Sequence, residues 1–111
     1  MPHNTRPVHE VKAALFRALG HPARVRILEL LRDGERSVGS LQAELELDSG
    51  GTSQHLAALR RIGLVTPRRE GTSVFYRVED PQTFALLEVT REILTRQLAT
   101  QQSLLRELDA E

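Results

Sequence analysis

Apolar residues recur at helical spacing through Val8, Val11, Leu15, Ala18 and Leu19, and Gly20 follows, so a first helix is expected from residue 8 to residue 19. Pro2 and Pro7 stand among polar residues ahead of it, which marks residues 1–7 as a flexible tail. His21-Pro22 then puts proline in its favoured first helical position. Val25, Ile27, Leu28, Leu30 and Leu31 point to nearly all sides of the helix that follows, predicting a buried one closed by Asp33-Gly34. Ser37 is an N-cap for a short third helix through Val38, Leu41 and Leu45. Asp48-Ser49-Gly50-Gly51 reads as a tight turn, and a fourth helix is expected from about Thr52 to Ile62, with Leu56, Leu59 and Ile62 on one stripe. Two helices joined by a short glycine-containing turn form the helix-turn-helix pattern.

Beyond Gly63 the period shortens to two. Leu64-Val65 and then Val74, Tyr76 and Val78 flank a turn at Glu70-Gly71-Thr72, which predicts a two-stranded hairpin, the wing. Asp80-Pro81 offers an N-cap followed by proline at the first helical position, and no glycine or proline interrupts the chain afterwards. Phe84, Leu87, Leu94, Leu98, Leu105 and Leu108 mark one face of this last helix. At about 28 residues it would be roughly 42 Å long, whereas a domain of ~100 residues has a radius of gyration near 13 Å. Its own domain cannot cover that stripe, and the simplest cover is a second copy of the chain. The expected fold is therefore mainly α with a small β-hairpin: a winged helix-turn-helix of five helices and a two-stranded wing, with residues 8–111 forming one DNA-binding and dimerisation domain.

Composition sharpens this picture at three points. With 111 residues, 40% of them hydrophobic, the chain makes one domain with a modest core. No apolar run approaches the roughly 20 residues of a membrane span, and Met1 to Val8 lacks the apolar core of a signal peptide, so a cytoplasmic protein without a membrane partner is expected. Cysteine is absent, which removes disulfides, thiolate metal sites and thiol redox sensing together. The formal net charge is zero, so an argument for nucleic-acid binding rests on how charge is distributed. Residues 60–77 carry Arg60, Arg61, Arg68, Arg69 and Arg77 against Glu70 alone, while residues 78–111 carry seven acidic residues against three arginines. A basic segment beside an acidic helix fits a DNA-facing edge next to a solvent-facing or partner-facing one.

Three motifs together carry a family resemblance. The run Phe16-Arg17-Ala18-Leu19-Gly20-His21-Pro22-Ala23-Arg24 with Ile27-Leu28 and Leu30-Leu31, the run Ser53-Gln54-His55-Leu56 with Leu59, Gly63, Leu64 and Val65, and the wing Arg68-Arg69-Glu70-Gly71 with Tyr76 and Val78 resemble ArsR/SmtB-family transcriptional repressors. The resemblance covers roughly residues 8–95. It implies repression relieved by an inducer and a dimer built from the first and last helices, here through Val11, Leu15, Phe84, Leu87, Leu94 and Leu98; a two-fold protein presents two recognition helices, so an inverted-repeat operator is expected. No residue pattern names a small-molecule inducer.

A helix fits the major groove of duplex DNA, and short polar side chains near its N-terminus reach base edges. Opposite the stripe of Leu56, Leu59 and Ile62 lie Gln54, Ala57, Ala58 and Arg61, with Ser53 at the edge. Gln54 can bond adenine bidentately, and Ser49, Thr52 and Ser53 sit near the helix start, where phosphate oxygens are favoured. His55 borders the buried stripe and has two open readings, a local hydrogen bond that steadies the turn or a DNA contact. Arg68 and Arg69, read as straddling the hairpin tip with Thr72, suit phosphates or a minor groove, against the alternative of a solvated turn. His21 reads as a capping or turn residue.

No metal or other cofactor is expected. The resemblance places paired cysteines of thiophilic-metal sensors at Ser37 and Gly39, and a hydroxyl and a hydrogen cannot replace thiolates. It places a second type of site on the last helix, where Asp80 is present but no histidine follows His55, and Gln82, Glu88 and Glu92 would hold zinc poorly. An N-terminal set of His3, His9 and Glu10 would have to pay for ordering a tail. No nucleophile, base and acid set or phosphate-cradling loop supports an enzyme; Gly50-Gly51 lacks the lysine and strand of a P-loop. The alternative function is a protein-interaction module using the winged-helix surface.

Overall fold

The computed structural model describes residues 6–111, so the expected tail and His3 fall largely or wholly outside the described residues. The chain divides into two compact units between Asp80 and Pro81. In the first, α1 spans Val8–Leu19 and α2 spans Pro22–Leu30. His21 Nδ1 accepts the Ala23 backbone N–H at 3.1 Å, satisfying one orphan donor at the start of α2 as its capping role requires. Ile27 and Leu28 are fully buried. The expectation of a helix buried all round is corrected, because Arg26 and Glu29 form an exposed pair at 3.3 Å and leave α2 with a solvent face. Leu31–Asp33 adds a single 3-10 turn, and Gly34, at φ 128°, ends it in a conformation that favours glycine.

β1 is the two-residue strand Arg36–Ser37, followed by α3 at Val38–Leu45. Ser37 Oγ accepts the Ser40 N–H at 3.1 Å, so the expected N-cap is in place. α4 spans Ser49–Arg61, which moves its start three residues ahead of the expected Thr52. The chain instead reverses just before it, where Glu46 adopts left-handed geometry at φ 55°. Asp48 explains the difference: its carboxylate accepts the Gly51 N–H at 2.7 Å and caps the helix. A Cβ on Gly51 would lie 3.0 Å from that oxygen, so the glycine makes room for a cap where it had suggested a turn. Replacing Asp48 with Ala should cost about 1 kcal/mol of stability and raise hydrogen exchange in the first turn of α4; an unchanged denaturation midpoint would contradict the capping role.

β2 covers Val65–Glu70 and β3 covers Ser73–Val78. They form the expected two-stranded wing, and β1 adds an unexpected third strand to give an antiparallel sheet in the order β1-β3-β2, with Arg36 opposite Tyr76 and Ser37 opposite Phe75. Two residues are too few to show alternation, which is why β1 left no trace in the pattern. Glu70 pairs with Ser73 across Gly71-Thr72, so the arginines expected to straddle the tip both lie on β2, ahead of it. The core of this unit gathers Ile27, Leu28, Leu31, Leu41, Leu56, Leu59 and Val65.

The second unit is the single helix α5, Gln82–Ala110, 29 residues and about 43 Å long. Pro81 occupies the N-cap position, so the helix begins one residue later than Asp80-Pro81 suggested. Leu94, Leu98, Leu105 and Leu108 are all more than half exposed. With Phe84, Leu87, Arg91 and Gln101 they follow an unbroken alternation of three-residue and four-residue steps, the spacing of a helix seam. Among the described residues, no helix is long and apolar enough to cross a membrane.

Candidate nucleic-acid interface

Ser49, Gly50, Ser53, Gln54, Arg60 and Arg61 are exposed and recur at the helical period along one side of α4. Leu59, on the side opposite Gln54 and Arg61, and Leu56, at the edge of the exposed side, are buried. The side chains of Ser49, Ser53 and Gln54 make no hydrogen bond to another described residue. Their polar atoms are therefore left open to solvent along the N-terminal half of the helix. The buried leucine stripe fixes this orientation, since the helix cannot turn its polar side inward without exposing it.

Charge on the hairpin divides by face. Arg68 donates from Nε and Nη2 to Glu35 at distances of 2.7 to 3.1 Å and from Nη1 to Glu70 at 2.8 Å. Its guanidinium carbon also lies 4.9 Å from the centre of the Phe75 ring. These bonds push the Arg68 pKa up and hold the Glu35 carboxyl below the usual carboxylate range. Arg77 pairs with Glu79 at 3.5 Å. Of the five arginines between residues 60 and 77, Arg60, Arg61 and Arg69 are left without a carboxylate partner among the described residues. Arg68, expected to contact DNA, is bonded through each of its three nitrogens to Glu35 or Glu70 and so ties the wing to the segment before β1.

Residues 21–66, the stretch from the cap of α2 to the start of β2, match the family described as bacterial regulatory protein, arsR family. The regulator Rv0081 of Mycobacterium tuberculosis, an uncharacterized HTH-type transcriptional regulator, is 43% identical over 105 residues, 94% of this chain and 92% of its own. The chain belongs to the arsR family. The crystal structure of Rv0081 superposes with a TM-score of 0.80 over 87% of this chain and 98% of that one. A transcriptional activator, HlyU of Vibrio cholerae, is 42% identical over 79 residues, 71% of this chain and 73% of its own. The solution structure of Mb0332 from Mycobacterium bovis, a homodimeric winged helix-turn-helix DNA-binding domain, matches with a TM-score of 0.69 and 34% identity over 77% of this chain and 82% of that one. The protein is thus a DNA-binding transcriptional regulator and not an enzyme, and its fold is the winged helix-turn-helix.

Within this arsR-family regulator, two residues expected to face DNA do not. Thr52 is fully buried, and its hydroxyl donates to the Asp48 carbonyl at 3.1 Å, a consequence of the helix starting early. Ala58, placed by the wheel beside Gln54, is also buried. His55 is engaged locally: its Nδ1 accepts Arg24 Nε–H at 3.1 Å and its ring lies 4.2 Å from that of His21, joining α4 to α2. Arg60, which the sequence reading did not single out, is exposed seven positions after Ser53, two helical turns along the same face. At the positions matched to metal-binding cysteines, the Ser37 hydroxyl is spent on its cap and Gly39 has no side chain, so this pair does not fit a thiophilic ion.

Burial first, then the neighbouring His21 and Arg24, lower the His55 pKa from its ordinary value. A histidine that resists protonation in the folded state gives its full contribution above the unfolded value near ~6.5 and loses it as pH falls through the depressed folded value. The melting temperature should therefore drop between pH 7 and pH 5, and the drop should shrink in His55→Gln. An identical profile in that variant would remove His55 as a cause.

Proposed function

We propose that the protein is a repressor that binds an inverted-repeat operator as a homodimer. The observation that carries this reading is α5, whose leucines at 94, 98, 105 and 108 stand more than half exposed along one seam. Burying a leucine side chain is worth about 1.5–3 kcal/mol, so a second copy that covers the seam is strongly favoured. Phe84 and Leu87 extend the seam on α5, and on α1 Val11 is exposed and Leu15 half-buried, apolar positions of their own for a dimer contact. Mb0332 is described as homodimeric, which supports the same assembly here.

A two-fold protein presents two copies of α4 and so reads two related half-sites. Ser49, Ser53, Gln54 and Arg61 on α4, with Arg69 and Thr72 on the wing, supply the contacts; all six are exposed. Gln54 reads a base, because its free amide offers a donor and an acceptor together. Gln54→Ala should relax preference at one position per half-site by about 1–3 kcal/mol, measured by competition among duplexes altered one base pair at a time. Equal loss on all sequences would assign Gln54 to the backbone instead.

Repression follows from occupancy, since a dimer seated on a promoter excludes polymerase without any further surface. HlyU is named an activator, so the sign is tested directly. DNA recovered with the protein from cells is placed in a reporter promoter, and removal of the regulator should raise expression. A fall in expression would assign activation. Recovery of proteins and no specific DNA would favour an interaction module.

A further inference from the structure

Side chains alternate along a strand, so with Arg68 and Glu70 on the braced face of β2, Pro67 and Arg69 lie on the other. Their cross-strand partners Tyr76 and Val74 share that second face. Arg60, in the last turn of α4, joins them, and these five residues line an open cavity of about 370 Å³. No acidic residue lines it, and neither Arg60 nor Arg69 has a carboxylate partner among the described residues. Two guanidiniums brought to one cavity repel each other, and an anion between them relieves that repulsion. Their planar donor forks, with the Tyr76 hydroxyl as a neutral donor, match the oxygens of a phosphate group.

We propose that Arg60, Arg69 and Tyr76 form a phosphate-binding pocket at the junction of α4 and the wing. Its occupant is a phosphate group, either from the backbone of bound duplex or from a free phosphate; only the first source rests on the operator-binding reading. Arg68 lies on the opposite face of β2, where it grips Glu35, and takes no part in the pocket.

The test compares wild type, Arg60→Ala, Arg69→Ala, the double variant and Arg68→Ala. In the first arm, affinity for operator duplex is followed against salt. One phosphate shared by two arginines predicts that each single variant lowers the slope of log K against log salt by about 0.9 per protomer, that the double variant lowers it no further, and that Arg68→Ala leaves it unchanged. In the second arm, protein without DNA is titrated with inorganic phosphate in chloride buffer while the arginine side-chain N–H signals are followed by NMR. Saturable shifts lost in Arg60→Ala and Arg69→Ala would assign the pocket to free phosphate; their absence together with the slope result would assign it to the DNA backbone. A double variant that loses twice the slope of either single one shows two separate phosphates and overturns the shared pocket. An unchanged slope together with no phosphate binding also overturns it. Wild type that binds no duplex in a salt-dependent way would sink the operator reading, and the pocket then stands or falls on the phosphate titration.

Discussion

Replacing Leu94 and Leu98 together with Asp is expected to leave the protein monomeric and to remove tight operator binding. Both leucines stand in the middle of the α5 seam, 53% and 58% exposed in the single chain. In a dimer they would be covered, and a carboxylate taken out of water there is far more costly than the leucine contact it replaces. Two such residues on each of two facing helices also repel their counterparts. The effect on DNA is large because the second half-site is bound intramolecularly once the first is held, a gain of roughly 10²–10⁴ in affinity that a monomer forfeits. Sedimentation velocity reads the assembly, and circular dichroism with thermal melting shows that the fold survives. A folded double variant that still sediments as a dimer would rule out the α5 seam as the dimer contact.

Leu59→Ala should cost about 2–5 kcal/mol, a large share of a total stability of about 5–15 kcal/mol. Leu59 is fully buried on the side of α4 opposite Gln54. Removing its branched end leaves a cavity on the buried side of α4 that the surrounding structure fills only in part. The prediction is a large fall in the urea midpoint with an unchanged dependence on denaturant concentration, and weakened operator binding because the recognition face is no longer held. A loss below about 1 kcal/mol would place Leu59 outside the cooperative core.

Much of this architecture was legible in the chain because local rules and packing agree. α1 is bounded by Pro7 and Gly20, and α3 starts where Ser37 caps it, as their patterns indicated. The stripe of Leu56 and Leu59 correctly set the buried side of α4. Errors arose where one residue type serves two ends. Gly50-Gly51 suggested a turn, yet in the presence of the Asp48 carboxylate the same glycines permit an earlier helix start, and that shift carries Thr52 into the core. Arg68 and Arg69 looked alike in sequence. Strand alternation places them on opposite faces, but which face meets a carboxylate depended on Glu35, 33 residues away. That partnership is a property of the folded sheet. The seam of α5 was visible as spacing, while what covers it is a matter between two chains.

Whether a two-fold protein reads DNA with α4 is tested most directly by hydroxyl-radical footprinting of the purified protein on its recovered operator. The expected pattern is two protected half-sites of inverted sequence, their centres one helical turn or a multiple of it apart, roughly 34 to 36 Å per turn. Protection should require the intact α5 seam and should lose its sequence preference at one position per half-site in Gln54→Ala. A single asymmetric footprint, unchanged by breaking the seam, would contradict the account.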